Sequence, residues 1–282
     1  RPGRVGLGYL LNHHGMLKGE ATIANLPASD RGPARIWYGS AAAAELHDMD
    51  WLQAYLHADE DVQIRSLTNA QTILVLAGPR ARAVLSACAR GDWSAVAFPW
   101  LSVRECFIGI APATVLAVSF SGEPAYEIHV PNSALLAAYQ ALRDAGAAHG
   151  LRLFGARAVD SMRMEKGFLH WKADILTEFD PFETGLDRFV QMKKPGFIGK
   201  PALQRRLAEG PRKRLVTLSL DTRQAPAHAG ASLMQDDRVV GSITSGAWGH
   251  RTRLNLAYAF VEPDLAKAGR ALQLDLCGRM VA

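Results

Sequence analysis

The order of strand-like and helical segments is the feature that most limits how this chain can fold. Apolar, strand-like runs open the sequence, and such runs then recur in pairs between helical patterns as far as about residue 195. From about residue 210 onward only short strand-like runs remain, separated by turn residues. Helices that cross between strand pairs, without a strict alternation of strand and helix, are typical of an α+β fold.

The individual segments are predicted from the spacing of apolar residues. Helical spacing occurs over 41–57, 132–150 and 156–166, Pro79 is expected to open a further helix that ends before Gly91, and a shorter helix is expected within 193–215. Strands are predicted where short apolar runs are bounded by turn residues. The predicted strands are 5–11, 16–26, 34–40, 61–67, 71–78, 100–110, 113–120, 214–221, 231–236, 238–248, 255–261 and 271–277, with a further one within 119–131.

A change of character near residue 195 predicts the domain organisation. Residues 1–195 are expected to form an α+β region, and residues 196–210 a connection rich in Pro, Gly and charge. Residues 211–282 are expected to form a C-terminal all-β domain of small-barrel or sandwich type. The chain begins abruptly in a strand-like run without an initiator Met, so we expect a fragment or a chain whose start is missing.

Composition and charge exclude several classes of protein. The sequence is 49% hydrophobic and 21% charged, as in ordinary globular proteins, and its apolar runs are too short for a membrane helix. The net charge is +5, but no basic stripe with interleaved aromatics appears, so nucleic acid is not an expected partner. A small anionic ligand, such as a polycarboxylate, fits this charge equally well. The three cysteines, Cys88, Cys106 and Cys277, favour a reducing compartment, either the cytosol or the mitochondrial matrix, and the cytoplasm is our prediction.

Several familiar site motifs are absent. The GLG of residues 6–8 lacks the third glycine of a dinucleotide fingerprint, and GFIGK at 196–200 is followed by Pro201 where a phosphate loop needs Ser or Thr. No GxSxG elbow occurs. The pair His13–His14 has no partner at metal-binding spacing, so a surface turn is predicted there and no metal site is expected.

Two acids stand in strand-like runs. Alternation places Glu20 beside Thr22, on the face opposite Leu17, Gly19 and Ala21, where it is either an exposed edge residue or a site residue. In SFSGEPAYEIHVP, residues 119–131, alternation separates Glu127 and His129 from the apolar side chains of the same strand.

A buried carboxylate at 127 would need a donor, and Arg157 and Arg163 on the following helix are the candidates. A structural ion pair or a solvated face remains an equal alternative. The loop after that helix carries Phe168, His170 and Trp171, which could stack on a flat ring or fill a domain interface.

Several long motifs, taken together, resemble the aminomethyltransferase fold of the glycine-cleavage T-protein family. Within that family the first half is similar to the folate-binding C-terminal half of dimethylglycine and sarcosine dehydrogenases. The motifs, in chain order, are RVGLGYLLNHHGMLKGEATIANL, SGEPAYEIHVP, FGARAVDSMRMEKGFLHWKADI, DPFETGLDRFV, KKPGFIGKPAL and GSITSGAWGHRTRLNLAYAFV.

The resemblance implies a folate-binding fold in which two α+β subdomains and a C-terminal barrel-like β domain surround a central hole that holds tetrahydrofolate. It implies that Glu127 holds the polar edge of the pterin, that Arg157 orients Glu127 or neighbours the ring, and that Tyr126 packs beside the ring. Phe120 stands where the family usually has Tyr, and Trp171 is a further binding candidate.

The resemblance also implies a catalytic acid. Glu20 matches a position where most members carry Asp, and a carboxylate there could take a proton or stabilise a cation as folate attacks an iminium carbon. The longer side chain leaves its placement open.

Three functions are compatible with the resemblance. The first is an enzyme that captures the methylene of oxidised N-methyl amines of dimethylglycine or sarcosine type as 5,10-methylenetetrahydrofolate. FAD would then be bound only in a partner domain or subunit. The second is a non-catalytic folate-binding module, although the KGC-type loop of related maturation proteins reads Lys166-Gly167-Phe168 here. The third is a demethylase of another substrate, such as dimethylsulfoniopropionate.

Overall fold

The computed structural model describes residues 1–29 and 32–282 of the chain. These residues divide into two compact units. The first unit contains Arg1–Gly8 and Glu20–Phe154, and the second contains Tyr9–Gly19 and Gly155–Ala282.

The chain begins with a three-stranded sheet in the order β1-β2-β3. Its strands are β1 (Val5–Leu11), β2 (Leu17–Leu26) and β3 (Arg35–Gly39). Strands β2 and β3 are antiparallel, with Ala24 directly opposite Trp37. A short 3-10 turn then leads into helix α1 (Glu45–Ala54).

A four-stranded antiparallel sheet forms the centre of the first unit. In chain order its strands are β4 (Gln71–Ala77), β5 (Val103–Ile108), β6 (Ala111–Leu116) and β7 (Ala125–Pro131), and in space their order is β4-β7-β6-β5. Helices α2 (Ala81–Cys88) and α3 (Leu135–Ala147) cover one face. The core between helices and sheet includes Val84, Leu85, Ile128, Val130 and Leu142. Burial of these aliphatic side chains is the main stabilising contribution here.

The second unit combines two helices with a long irregular segment. Helix α4 (Ala156–Lys166) ends at Gly167, whose φ of 77° is the left-handed conformation that a helix C-terminus commonly requires. Helix α5 (Lys200–Glu209) begins at Gly199, where a Cβ would lie 2.6 Å from the carbonyl oxygen of Asn12. Only glycine allows this close approach of the β1–β2 turn.

A six-stranded sheet in the order β13-β12-β9-β10-β11-β8 completes the second unit. The strands are β8 (Arg214–Leu220), β9 (Ser232–Gln235), β10 (Arg238–Gly249), β11 (Leu254–Val261), β12 (Gln273–Leu276) and β13 (Arg279–Val281). Over the described residues β8 and β13 are the two ends of the order, so this domain is not a closed barrel. A backbone hydrogen bond, 2.7 Å from the Asp221 nitrogen to the Ala282 oxygen, joins the residues that directly follow β8 and β13.

The α+β class and the C-terminal β domain are confirmed, and the barrel-like description is corrected to a six-stranded sheet. The strand predicted at 61–67 is wrong, because that segment pairs with no strand and is mostly exposed. Strand β13 was not predicted. The exact limits 1–195, 196–210 and 211–282 stay a prediction. No helix of the described residues is both long and apolar enough to cross a membrane.

Candidate functional site

Strand β7 presents two chemically different faces, as its alternation predicted. Ile128 and Val130 are buried in the core of the first unit. Glu127 and His129 lie on the opposite face, where the Glu127 side chain is 30% exposed and the His129 ring is almost completely buried. The carboxylate is therefore available to a ligand, while the histidine beside it is not.

Apolar residues flank Glu127 on the neighbouring strands. Val75 on β4 and Leu116 on β6 stand directly opposite Glu127 in the two antiparallel pairings. Opposite side chains in such pairs share a face and lie about 5 Å apart at Cβ. Leu116 is buried, but Val75 is 52% exposed. The Glu127 carboxylate, a charged acceptor, therefore lies beside the exposed aliphatic side chain of Val75.

A hydrogen-bonded histidine and tryptophan stand behind the carboxylate. The indole Nε1–H of Trp37 donates to Nδ1 of His129 at 3.1 Å, and the two rings meet edge to face at 5.7 Å between centroids. Nε2 of His129 lies 3.4 Å from Oε2 of Glu127. That contact lacks hydrogen-bond geometry, and Nε2 makes no other hydrogen bond within the described residues.

Strand β3 is held in place by contacts from both of its faces. Arg35 forms an ion pair with Glu105 on β5 while Trp37 contacts His129 on β7, so β3 crosses the strands of the four-stranded sheet. From the other face of β3, the Tyr38 hydroxyl donates to Asp48 of α1 at 3.3 Å. Burial and the Asp48 carboxylate both raise the pKa of Tyr38, so this hydroxyl stays a donor.

Glu20 lies on β2 on the face that the sequence predicted. Leu17, Gly19 and Ala21 are buried on one face, and Glu20 and Thr22 are partly exposed on the other. Ala24, two positions after Thr22, lies on the same face of β2 as Glu20 and Thr22, and it stands opposite Trp37 of β3. Alternation therefore places Glu20 on the same face of the three-stranded sheet as Trp37.

The structure corrects the predicted role of Tyr126 beside a ligand ring. Tyr126 is 2% exposed and lies on the opposite face of β7 from Glu127, within the core of the first unit. Its ring stacks on Phe98 at 6.1 Å, and the Arg82 guanidinium lies 5.7 Å from its centroid. Burial raises the pKa of Tyr126, with Arg82 acting in the opposite direction. Tyr126 is a core residue.

Trp171 is also a core residue. The sequence left two roles open for this loop aromatic, stacking on a flat ring or filling a domain interface, and the structure buries Trp171 in a core of the second unit with Leu11, Leu17, Ile175 and Leu203. The local sequence pattern could not predict this burial, because Trp171 lies in an irregular segment and most of the residues that cover it are distant in the chain.

The remaining predicted residues are placed as follows. Phe120 follows β6 and is partly exposed on the first unit. Arg157 is exposed on the first turn of α4, in the second unit. Arg163, the other candidate donor to Glu127, instead binds Asp160 and Asp174. The polar side-chain contact that the structure gives Glu127 is with Nε2 of His129, at 3.4 Å.

Sequence reasoning missed Trp37, Val75 and the role of His129. Alternation already placed His129 on the face of Glu127, which was a usable signal. Nothing local signalled Trp37, because it contacts His129 across 92 positions of the chain. No group of three or more His, Cys, Asp or Glu residues suited to a metal ion occurs in the described part of the chain.

Comparison with known proteins identifies the fold. The solved structure of the glycine cleavage system aminomethyltransferase T from Bartonella henselae matches with a TM-score of 0.86 and 24% identity, over 100% of this chain and 74% of that one. The predicted aminomethyltransferase-like fold is thereby confirmed.

Curated relatives carry the same relationship in sequence. The mitochondrial dimethylglycine dehydrogenase of Rattus norvegicus is 30% identical over 279 residues, which are 98% of this chain and 32% of that protein. The aminomethyltransferase of Saccharopolyspora erythraea is 32% identical over 210 residues, 74% of this chain and 57% of that protein. The chain thus spans about a third of the length of the dimethylglycine dehydrogenase it matches.

Two family models account for nearly all of the sequence. The GCVT N-terminal domain matches residues 1–194, and the glycine cleavage T-protein C-terminal barrel domain matches residues 213–282. The chain belongs to the glycine cleavage T-protein family, as an aminomethyltransferase-type domain related to dimethylglycine dehydrogenases.

Proposed function

We propose that this chain binds tetrahydrofolate and takes part in folate-dependent one-carbon transfer from N-methyl amines of dimethylglycine or sarcosine type. The observation that carries the proposal is the Glu127 carboxylate, partly exposed beside the uncovered Val75 and supported from behind by His129. Membership of a family that uses tetrahydrofolate, and the similarity to dimethylglycine dehydrogenase, give this site its ligand class.

The residues around Glu127 suit a pterin ring. An ionised carboxylate accepts two adjacent N–H donors in a paired geometry, which is what the amino group and neighbouring ring nitrogen of a pterin present. The apolar Val75 side chain gives the flat ring a surface to pack against. The orphaned Nε2 of His129 is a buried polar atom directed at the same carboxylate, which is typical of a site and unusual in a finished core.

Glu20 is the proposed catalytic group. When bound, tetrahydrofolate supplies the nucleophilic nitrogen that receives the one-carbon unit, and the product is 5,10-methylenetetrahydrofolate. The Glu20 carboxylate would accept a proton or stabilise positive charge near that nitrogen. The proposal retains Phe120 and Arg157, which are exposed, as binding candidates. It gives no ligand contact to the buried Tyr126 and Trp171.

A flavin-containing oxidoreductase domain or subunit is the proposed partner. A methyl group on an amine must be oxidised by two electrons before it can be transferred at the methylene level. The relatives include a dehydrogenase of which this chain matches about a third. We therefore assign the oxidation to a partner and the capture of the carbon to this chain.

Calorimetric titration with tetrahydrofolate tests the binding site. Glu127→Ala is expected to weaken binding by about 10- to 100-fold, the usual loss when a charged hydrogen-bond acceptor is removed. Glu123→Ala is the matched control, because Glu123 is a carboxylate in the turn before β7, four residues before Glu127. Equal affinity of both variants and the unchanged chain would refute the assignment of Glu127.

The variant Glu20→Gln separates an enzyme from a binding module. Tetrahydrofolate binding is expected to persist, because the amide is nearly isosteric, while formation of 5,10-methylenetetrahydrofolate in the presence of the partner flavoprotein falls at least 10-fold. Transfer that is unaffected by the substitution would remove Glu20 from the mechanism. A chain that binds tetrahydrofolate but never supports transfer would favour the binding-module function.

A further inference from the structure

The geometry points to Trp37 and His129 as a pair of residues that position the Glu127 carboxylate. We infer that Trp37 fixes His129 as the neutral tautomer protonated on Nε2, and that this Nε2–H orients the Glu127 carboxylate toward tetrahydrofolate. The ligand part of this inference rests on the proposed function, whereas the tautomer and its effect on Glu127 do not.

The tautomer follows from donor and acceptor chemistry. An indole Nε1–H can only donate, so the Nδ1 atom of His129 that receives it must carry a lone pair. The neutral ring then holds its proton on Nε2, the atom that lies 3.4 Å from Oε2 of Glu127. Of the two neutral tautomers, Trp37 therefore selects the one protonated on Nε2.

Among the described residues, the carboxylate that lies beside the buried Nε2 of His129 is that of Glu127, at 3.4 Å. The His129 ring lies opposite Ile73 on β4 and Thr114 on β6, neither of which is charged. Glu105 is opposite Thr114 on the same side of the sheet, but its carboxylate is paired with Arg35. A small rotation of Glu127 would turn the present contact into a hydrogen bond and satisfy the orphaned donor.

A hydrogen bond from His129 would use one acceptor position of the Glu127 carboxylate and leave the others to the ligand. Oε2 faces His129, so once it accepts the Nε2–H the carboxylate is restrained at one end, while Oε1 and the second acceptor position of Oε2 stay available to two adjacent N–H donors. Without that restraint a glutamate with three side-chain torsions samples several directions, and binding must then order it. His129 is thus a positioning residue, because its buried ring cannot serve as the main contact to the ligand, and Trp37 acts through it.

Nuclear magnetic resonance of the histidine ring tests the tautomer without any ligand. Long-range ¹H–¹⁵N correlations, recorded above the titration range of ordinary histidines, should show His129 protonated on Nε2 alone. Trp37→Phe should reduce that preference, and Glu127→Gln should shift the Nε2 signal, while Glu123→Gln should leave it in place. Protonation on Nδ1 in the unchanged chain, or indifference to Glu127→Gln, would overturn the inference.

Affinity for tetrahydrofolate tests the consequence. His129→Gln keeps an acceptor for Trp37 and a donor for Glu127, so its affinity should stay within about 3-fold of the unchanged chain. His129→Leu removes both and should weaken binding by about 10-fold. Thr114 stands directly opposite His129 on β6, so Thr114→Val is the matched control for a disturbance of the packing there. This variant should bind tetrahydrofolate with unchanged affinity.

The outcomes separate this inference from the proposed function. His129→Leu that binds as tightly as the unchanged chain, or His129→Gln that is as weak as His129→Leu, would overturn the positioning role. An unchanged chain with the expected tautomer and no affinity for tetrahydrofolate would contradict the proposed function, while the coupling of His129 to Glu127 would stand.

Discussion

Two clusters of polar side chains, one in each unit, differ in how completely their buried polar atoms are hydrogen-bonded. In the second unit, Arg163 donates to Asp174 at 2.7 Å and to Ser245 at 3.0 Å, and the hydroxyl of Thr244 donates to the other Asp174 oxygen at 2.6 Å. The Asp174 side chain is 0% exposed. In the first unit, the cluster of Trp37, His129 and Glu127 leaves one buried donor unsatisfied and its carboxylate partly open to solvent.

The difference separates structure from function. A buried network in which each oxygen of the acid has a donor rigidifies the segment it joins, here helix α4, the loop after it and strand β10. An unfinished cluster is less stabilising and persists in native proteins mostly where a ligand or a reaction uses it. On this criterion Asp174 stabilises the fold and Glu127 is the proposed binding residue, and the comparison can be tested with the same chemical change at both.

The largest expected effect is at Asp174. Asp174→Asn keeps the shape of the side chain but removes the buried negative charge, so the buried guanidinium of Arg163 is left with the half-exposed Asp160 as its counter-charge. We expect a loss of about 3–5 kcal/mol in the free energy of unfolding. Hydrogen–deuterium exchange should show the lost protection in residues 167–175, which the Asp174 carboxylate joins through the 3.0 Å bond from the His170 nitrogen.

Asp160 supplies the matched control for that change. It also contacts Arg163, at 2.9 Å, but its side chain is half exposed. Asp160→Asn should therefore cost less than about 1 kcal/mol, as surface ion pairs do. Similar losses at positions 160 and 174 would mean that the buried network is not what fastens the loop.

A smaller effect, with a defined pH dependence, is expected at Glu183. Burial raises the pKa of Glu183, but hydrogen bonds from Arg212 and from backbone N–H groups lower it by a larger amount. The pKa of Glu183 therefore lies below its ordinary value of 4.5. The stabilisation is therefore present above about pH 4.5, where the unfolded chain is also ionised, and is lost as the pH falls through the folded-state pKa.

Urea unfolding of the unchanged chain and Glu183→Gln, at neutral pH and at successively lower pH, measures this contribution. The unchanged chain should be the more stable at neutral pH, by about 1–3 kcal/mol, and the difference should shrink on acidification. The neighbouring Asp180, whose pKa is raised mainly by burial, has the opposite dependence but is present in both proteins. A stability difference that stays constant with pH would mean that the ionisation of Glu183 is not the source of the stabilisation.

The sequence predicted local patterns better than distant contacts. Alternation placed Glu127, His129 and Glu20 on the correct faces of their strands, because the two-residue period is a property of the backbone. The same pattern at 61–67 predicted a strand that does not form, since a strand also needs a neighbouring chain with which to bond.

The errors in the site have one physical origin. Tyr126 shares a strand with Glu127, and Trp171 lies in an irregular segment, but both are buried by residues far away in the chain. The support of Glu127 by Trp37 depends on β3 crossing the sheet, which no local pattern encodes. The local pattern therefore predicted the face on which Glu127 lies, and tertiary packing decided which aromatic residue lies near it.

The smallest expected effect completes the comparison at Glu127. Glu127→Gln, the counterpart of Asp174→Asn, should change the free energy of unfolding by less than about 1 kcal/mol, because the carboxylate is partly solvated and its contact with His129 lacks hydrogen-bond geometry. Urea unfolding measures the change, with Glu123→Gln as the control for a carboxylate in the preceding turn. If Glu127→Gln were to cost as much stability as Asp174→Asn, Glu127 would be a structural ion-pair residue, and its assignment to ligand binding would lose its physical basis.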